Sequence, residues 1–122
     1  IERMEETFDL ATELNCEFAN FYSAMAYPGS DLYNDAIRDG VELPDTWKDF
    51  SQHGYNAKPL SNKYCTAAEI LEFRDNAFDQ YFTNPTYLNM VKEKFGQDVV
   101  DHIARMVSIP LSRKLLEERT AA

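Results

Sequence analysis

The run Thr66-Ala67-Ala68-Glu69 constrains this chain more than any other stretch. A threonine hydroxyl at a helix N-cap accepts from the N–H three residues on. A glutamate at that position reaches back to the cap's own N–H, so the run sets where a helix begins. Ile70, Phe73, Ala77, Phe78 and Tyr81 then form an apolar stripe at helical spacing, and the pattern runs to about Phe82. Asn84-Pro85 breaks it. A further helix spans Thr86 to Phe95, with Tyr87, Leu88, Val91 and Phe95 inward and Gly96 as its stop. Another starts at Asp98 and carries Val99, Ile103, Met106 and Val107 until Pro110 interrupts it. Leu111 to Arg119 closes the chain as a short helix with Leu115 and Leu116. Successive amphipathic helices on short connections make a bundle, so the fold class is read as mainly α.

The first half is less regular. Met4 to Leu14 reads as a helix with Met4, Phe8, Ala11 and Leu14 on one side and Glu5, Glu6, Asp9 and Glu13 elsewhere; Asn15 is its stop. In Glu17 to Met25 both alternating rows are largely apolar after Asn20, as in a strand buried on both faces. A lone strand is unstable without neighbours. Two readings stay open: the segment is helical, or it is a strand whose sheet partners lie outside the chain. Tyr27-Pro28-Gly29-Ser30 is a turn in which Ser30 caps the helix Asp31–Asp39, ended by Gly40. Val41 to Lys63 has no sustained period, yet it holds Trp47, Phe50, Tyr55 and Leu60, so it is expected to pack rather than wave in solvent.

Composition bounds the partners. With 122 residues the chain suits one modest domain. Its net charge of −9 disfavours nucleic acid, whose phosphates need Lys or Arg, and an anionic membrane surface. No apolar run approaches the roughly 20 residues of a spanning helix. Residues 1–50 hold 12 acids and 3 bases, and the remainder is neutral. A solvated acidic face is the commoner meaning of such an imbalance; a docking surface for a basic neighbour is the functional one. Two cysteines, Cys16 and Cys65, are too few for a disulfide scaffold and too far apart for a metal site, so reduced thiols in the cytoplasm are expected. The acidic start is no signal peptide, and an opening Ile rather than Met suggests a cut polypeptide.

Chemistry-bearing residues are sparse. Asp98 and His102 share a helix face at i, i+4, which alone falls far short of a di-iron set; His102 is expected on the helix surface. His53, in Ser51-Gln52-His53-Gly54-Tyr55, has a pKa suited to acid–base work, but no partner can be named. A nucleophilic pair of Cys65 with His53 competes with Cys65 packing as a small apolar group. Arg74 and Asp75 are adjacent and point to different helix faces. No P-loop, G-x-S-x-G or G-x-G-x-x-G occurs. The residues themselves describe a helical domain without a self-contained catalytic constellation.

An ordered set of short runs adds to this. It comprises Leu14-Asn15 with Asn20-Phe21-Tyr22; Ala26-Tyr27-Pro28-Gly29-Ser30 with Leu32-Tyr33; Pro44 with Trp47; Ser51-Gln52-His53-Gly54-Tyr55; Lys58-Pro59-Leu60; Phe73-Arg74-Asp75 with Ala77-Phe78 and Tyr81-Phe82; Phe95-Gly96; and Leu111 with Arg113-Lys114-Leu115-Leu116. Together, over nearly the whole chain, it resembles the C-terminal part of radical S-adenosylmethionine Fe–S oxidoreductases of the type with an N-terminal cobalamin-binding domain. The resemblance implies that residues 1–40 are the last helix–strand–helix unit of a partial α/β barrel, with residues 17–25 as its final short strand. Residues 41–65 become an irregular aromatic connection and 66–122 a helical extension, all one compact unit.

That family binds a [4Fe–4S] cluster through a Cys-x-x-x-Cys-x-x-Cys loop. The loop and the cobalamin domain are both missing from these residues. The resemblance therefore implies a fragment with no catalytic or metal-binding residue of its own. Its cluster, S-adenosylmethionine and cobalamin sites belong to the intact enzyme, and its partners are the N-terminal domains of the same polypeptide. Tyr27, Pro28, Gly29 and Ser30 follow the strand, where ligands bind in such sheets, and are expected on the substrate or S-adenosylmethionine side. His53 and Tyr55 are assigned there as well. Apolar surface left by a missing barrel predicts a homo-oligomer for the isolated chain. The alternative is a stand-alone acidic helical module that docks a basic partner. A small helical enzyme using His53 and Cys65 is a third reading.

Overall fold

The computed structural model describes residues 1–121. The chain is mainly helical: α1 (Glu2–Leu14), α2 (Asp31–Arg38), a 3-10 turn at Trp47–Phe50, α3 (Ala67–Thr83), α4 (Pro85–Phe95), α5 (Gln97–Val107) and α6 (Lys114–Ala121). Among the described residues there is no strand; residues 17–25 are neither helical nor paired in a ladder.

The contacts divide the chain into two compact units. One comprises Ile1–Phe21 and Phe73–Pro110; the other comprises Tyr22–Glu72 and the residues from Leu111 onward.

In the first unit, Tyr81 and Phe82 of α3, Tyr87 and Val91 of α4 and Ile103 of α5 are buried together, with Phe8 and Ala11 of α1 packed against them. The rings of Tyr81 and Tyr87 lie 5.0 Å apart, and Phe82 meets Tyr87 edge-on at 5.3 Å. Asn84 caps α4 by accepting from Thr86 N–H at 2.9 Å, and Pro85 takes the first helical position, where a missing N–H costs nothing. Gly96 turns the chain from α4 into α5 with a φ of 89°, a conformation that favours glycine. Asn15 ends α1 in the left-handed region at φ 46°, its N–H bonded to Ala11 O, as its place after the apolar pattern predicts.

The second unit has a smaller core of Met25, Ala57 and Leu71, against which Leu115 packs. Ser30 caps α2, its Oγ accepting from Tyr33 N–H at 3.1 Å. Thr66 and Glu69 form the expected box: Glu69 N–H donates to Thr66 Oγ1 at 3.2 Å, and Thr66 N–H donates to Glu69 Oε2 at 2.8 Å. α6 begins at Lys114, three residues later than the sequence pattern suggests. The residue before it explains the delay. Arg113 is buried, and its Nη1 donates to Gly54 O at 2.9 Å, so the residue is anchored to a loop before the helix starts. The one tryptophan, Trp47, lies at the surface with 78% of its area exposed.

Candidate functional site

The residues assigned to a binding side, Tyr27–Ser30, His53 and Tyr55, all belong to the second unit. Tyr27–Ser30 is the turn its composition dictates. Ser30 N–H and Oγ both donate to Tyr27 O, at 3.0 and 2.7 Å, and Gly29 takes a φ of 90°. Pro28 is half-buried, while Tyr27 and Gly29 are exposed. Ser30 is fully engaged as turn and cap, so its hydroxyl serves the fold.

Gln52 organises the surroundings. It is buried, and its side-chain amide uses both ends. Oε1 accepts from Ser23 N–H at 3.1 Å and from Ser23 Oγ at 3.0 Å. Nε2 donates to Ser23 O at 2.9 Å and to the Tyr27 hydroxyl at 3.0 Å. The Tyr27 ring rests near Phe50, with centroids 6.3 Å apart. The hydroxyl that accepts from Gln52 keeps its own hydrogen to donate, and Tyr27 is 44% exposed.

His53 and Tyr55 flank Gly54 on the loop that Gln52 begins. His53 is exposed, and its N–H donates to Ser51 Oγ at 3.3 Å. Tyr55 donates its hydroxyl to Glu117 Oε2 at 2.7 Å, and its carbonyl accepts from Lys114 N–H at 3.0 Å. That carboxylate raises the Tyr55 pKa, since it accepts from the phenol and opposes a second negative charge. Tyr55 is thus a neutral strut between loop and α6. Nearby, the Thr46 hydroxyl and the Asn56 amide both donate to Asp49 and hold its carboxyl below the usual range.

Cys65 is buried, and its N–H donates to Asn62 Oδ1 at 3.0 Å. Cys16 is exposed, and both cysteines are free thiols. Among the described residues no group of three His, Cys, Asp or Glu converges as a metal site. No helix is long and apolar enough to cross a membrane.

The organising role of Gln52 was not legible in the sequence. Its partner Ser23 lies 29 positions away, and the only local sign is the Gly54 turn beside it. Within this arrangement the donors of Ser30, Gln52 and Tyr55 are spent inside the fold.

No family model, curated protein or solved structure matches this chain.

Proposed function

We propose that this chain is the C-terminal part of a radical S-adenosylmethionine Fe–S oxidoreductase, packs against its catalytic barrel in the cytoplasm, and is not catalytic alone. One observation supports this beyond the ordered motifs. Between α1 and α2, exposure alternates residue by residue: Phe18, Asn20, Tyr22 and Ala24 are exposed, while Ala19, Phe21, Ser23 and Met25 are half-buried or buried. That is the period of a strand. Phe18 and Tyr22, in the outward row, expose 59% and 62% of their area. In this reading the period is that of the barrel's final strand, with Phe21 O and the Ser23 backbone met by the side chains of Arg74 and Gln52.

The cysteines present do not fit the family's cluster: one is exposed, one is buried, and no third exists. In this reading the cluster sits on a Cys-x-x-x-Cys-x-x-Cys loop elsewhere in the polypeptide and supplies the electron that cleaves S-adenosylmethionine. Residues Tyr27 to Ser30 with the Tyr27 phenol line the ligand side.

The test is to obtain the native polypeptide that carries this chain and read its sequence by tandem mass spectrometry. It is then reconstituted anaerobically with iron and sulfide and assayed for 5′-deoxyadenosine. The expected result is a three-cysteine loop and reductive cleavage by the intact polypeptide, with none by residues 1–122. A native polypeptide without such a loop ends this reading, as does cleavage by this chain alone.

A further inference from the structure

α1 turns one side into its unit and the other away from it. Met4, Phe8, Ala11 and Thr12 are its half-buried positions and share one side at helical spacing. Leu10 and Leu14, one turn apart on the other side, are 55% and 63% exposed. A single exposed leucine is ordinary. Here the two form a stripe with a charged margin, because Glu6 and Glu13 stand one turn to either side of Leu10.

That margin is electrically uncompensated. The helix carries Glu2, Glu5, Glu6, Asp9 and Glu13 against Arg3 as its one base. Glu2 with Glu6, Glu5 with Asp9 and Asp9 with Glu13 are spaced i, i+4, where like charges repel. Among the described residues none of these five carboxylates has a basic partner. Some acids elsewhere are paired, Glu17 with Lys94, Glu42 with Lys58 and Glu72 with Arg119, while among the described residues Asp31, Asp45 and Glu93 are not; α1 differs in gathering five unpaired acids on one helix.

We propose that this face of α1 docks an amphipathic helix of a partner protein whose apolar row is bordered by Lys or Arg. The leucine stripe calls for an apolar row opposite it. The unpaired acids call for positive charge along the border, which also relieves the repulsion within α1. A second copy is the poorer occupant, because it brings five more acids to the same place. Phosphate-bearing surfaces are repelled for the same reason. The docking uses α1 alone and is independent of the barrel reading.

The probe is a fluorescein-labelled synthetic helix of Leu and Lys residues, titrated with the full chain and followed by anisotropy. Two control peptides replace its leucines with Ser or its lysines with Glu. The Leu/Lys helix is expected to bind with a Kd below about 100 μM, and to weaken by at least about tenfold between low and moderately high salt. Either control peptide, and the L10S/L14S chain, should bind at least about tenfold more weakly. An E6Q/E13Q chain, which keeps the leucines, should lose most of the salt dependence. Circular dichroism checks that both variants stay helical. Undiminished binding by L10S/L14S or by the Ser peptide means bare charge attraction and overturns the proposal. No binding at all overturns it too, as does self-association of the chain that L10S/L14S abolishes.

Discussion

Gln52 gives Ser23 both hydrogen bonds that a residue on an adjacent β-strand would give: it accepts from Ser23 N–H at 3.1 Å and donates to Ser23 O at 2.9 Å. A residue in an antiparallel hydrogen-bonded pair exchanges the same two bonds. The carboxamide thus stands in for a neighbouring backbone, and the extended residue keeps its polar groups satisfied without a sheet.

Replacing Gln52 with Leu leaves the buried Ser23 N–H, carbonyl and hydroxyl without that partner. The expected destabilisation is about 2–4 kcal/mol, read from urea unfolding followed by circular dichroism. Q52E separates shape from chemistry. At neutral pH its carboxylate faces Ser23 O and cannot donate, so it destabilises as well. Protonation restores a donor, and the folded-state pKa of Glu at this position is therefore raised. Stability of Q52E relative to the parent should be regained at low pH and lost as pH rises through the unfolded carboxyl value of about 4.3. A pH-independent deficit would contradict the strand-mimic role.

Tyr81 and Tyr87 perform a related task in the other unit. Buried in the core, they donate their hydroxyls to Cys16 O at 2.6 Å and Glu17 O at 3.0 Å. Y81F and Y87F should each cost about 1 kcal/mol, with the rings still packed. Burial raises both phenol pKa values. The folded state therefore opposes their ionisation, and stability falls once pH rises through the unfolded tyrosine value of about 10. Denaturant midpoints measured from pH 8 to 11 should show this loss for the parent and a smaller one for the double phenylalanine variant.

T66A removes the cap of α3 and should cost about 1 kcal/mol. Glu69 reads the same box by pH. Its carboxylate accepts from Thr66 N–H and Oγ1, which holds its pKa below the usual value. A depressed carboxyl stabilises above its unfolded pKa and loses that contribution as pH falls through the folded value. E69Q should therefore be less stable than the parent at pH 7, and the two should converge in acid. A gap that persists unchanged to the lowest pH would rule out the charge as its source.

Asp79 carries the opposite sign. Asp79 is exposed overall, but partial desolvation of its carboxyl, followed by the charge of Asp75, raises its pKa. Its ionised form is thus disfavoured in the folded state, and stability declines as pH rises through the unfolded aspartate value of about 3.9. D79N should unfold at a higher urea concentration than the parent at pH 7, with the difference vanishing in strong acid. A lower midpoint at pH 7 would show that the carboxylate has a favourable role.

What the sequence could disclose was set by distance along the chain. The Thr66 box, the break at Asn84-Pro85, the Gly96 stop and the Asn15 stop are decided within a turn or two of backbone, and each sits where its residue type predicts, with Pro85 itself opening α4 one residue earlier than the pattern suggests. The strand-like alternation at 17–25 was also visible, although its partners were not. Those partners are the side chains of Gln52, Arg74 and Tyr87, reaching across 29 to 70 positions, and the Leu60 N–H, which donates to Ala24 O. No local period encodes such bonds. The same limit hid why the loop around His53 holds its shape, since its anchors are Arg113 and Lys114 near the other end of the sequence.

Trp47 is the chain's single indole and already meets water in the native fold. Its emission in the folded protein should lie near that of free tryptophan in solution and move little when the chain unfolds. Melting curves taken from intrinsic fluorescence would then look flat for a protein that is losing all its helices. A quencher such as iodide or acrylamide, by contrast, should reach the ring almost as readily before unfolding as after it.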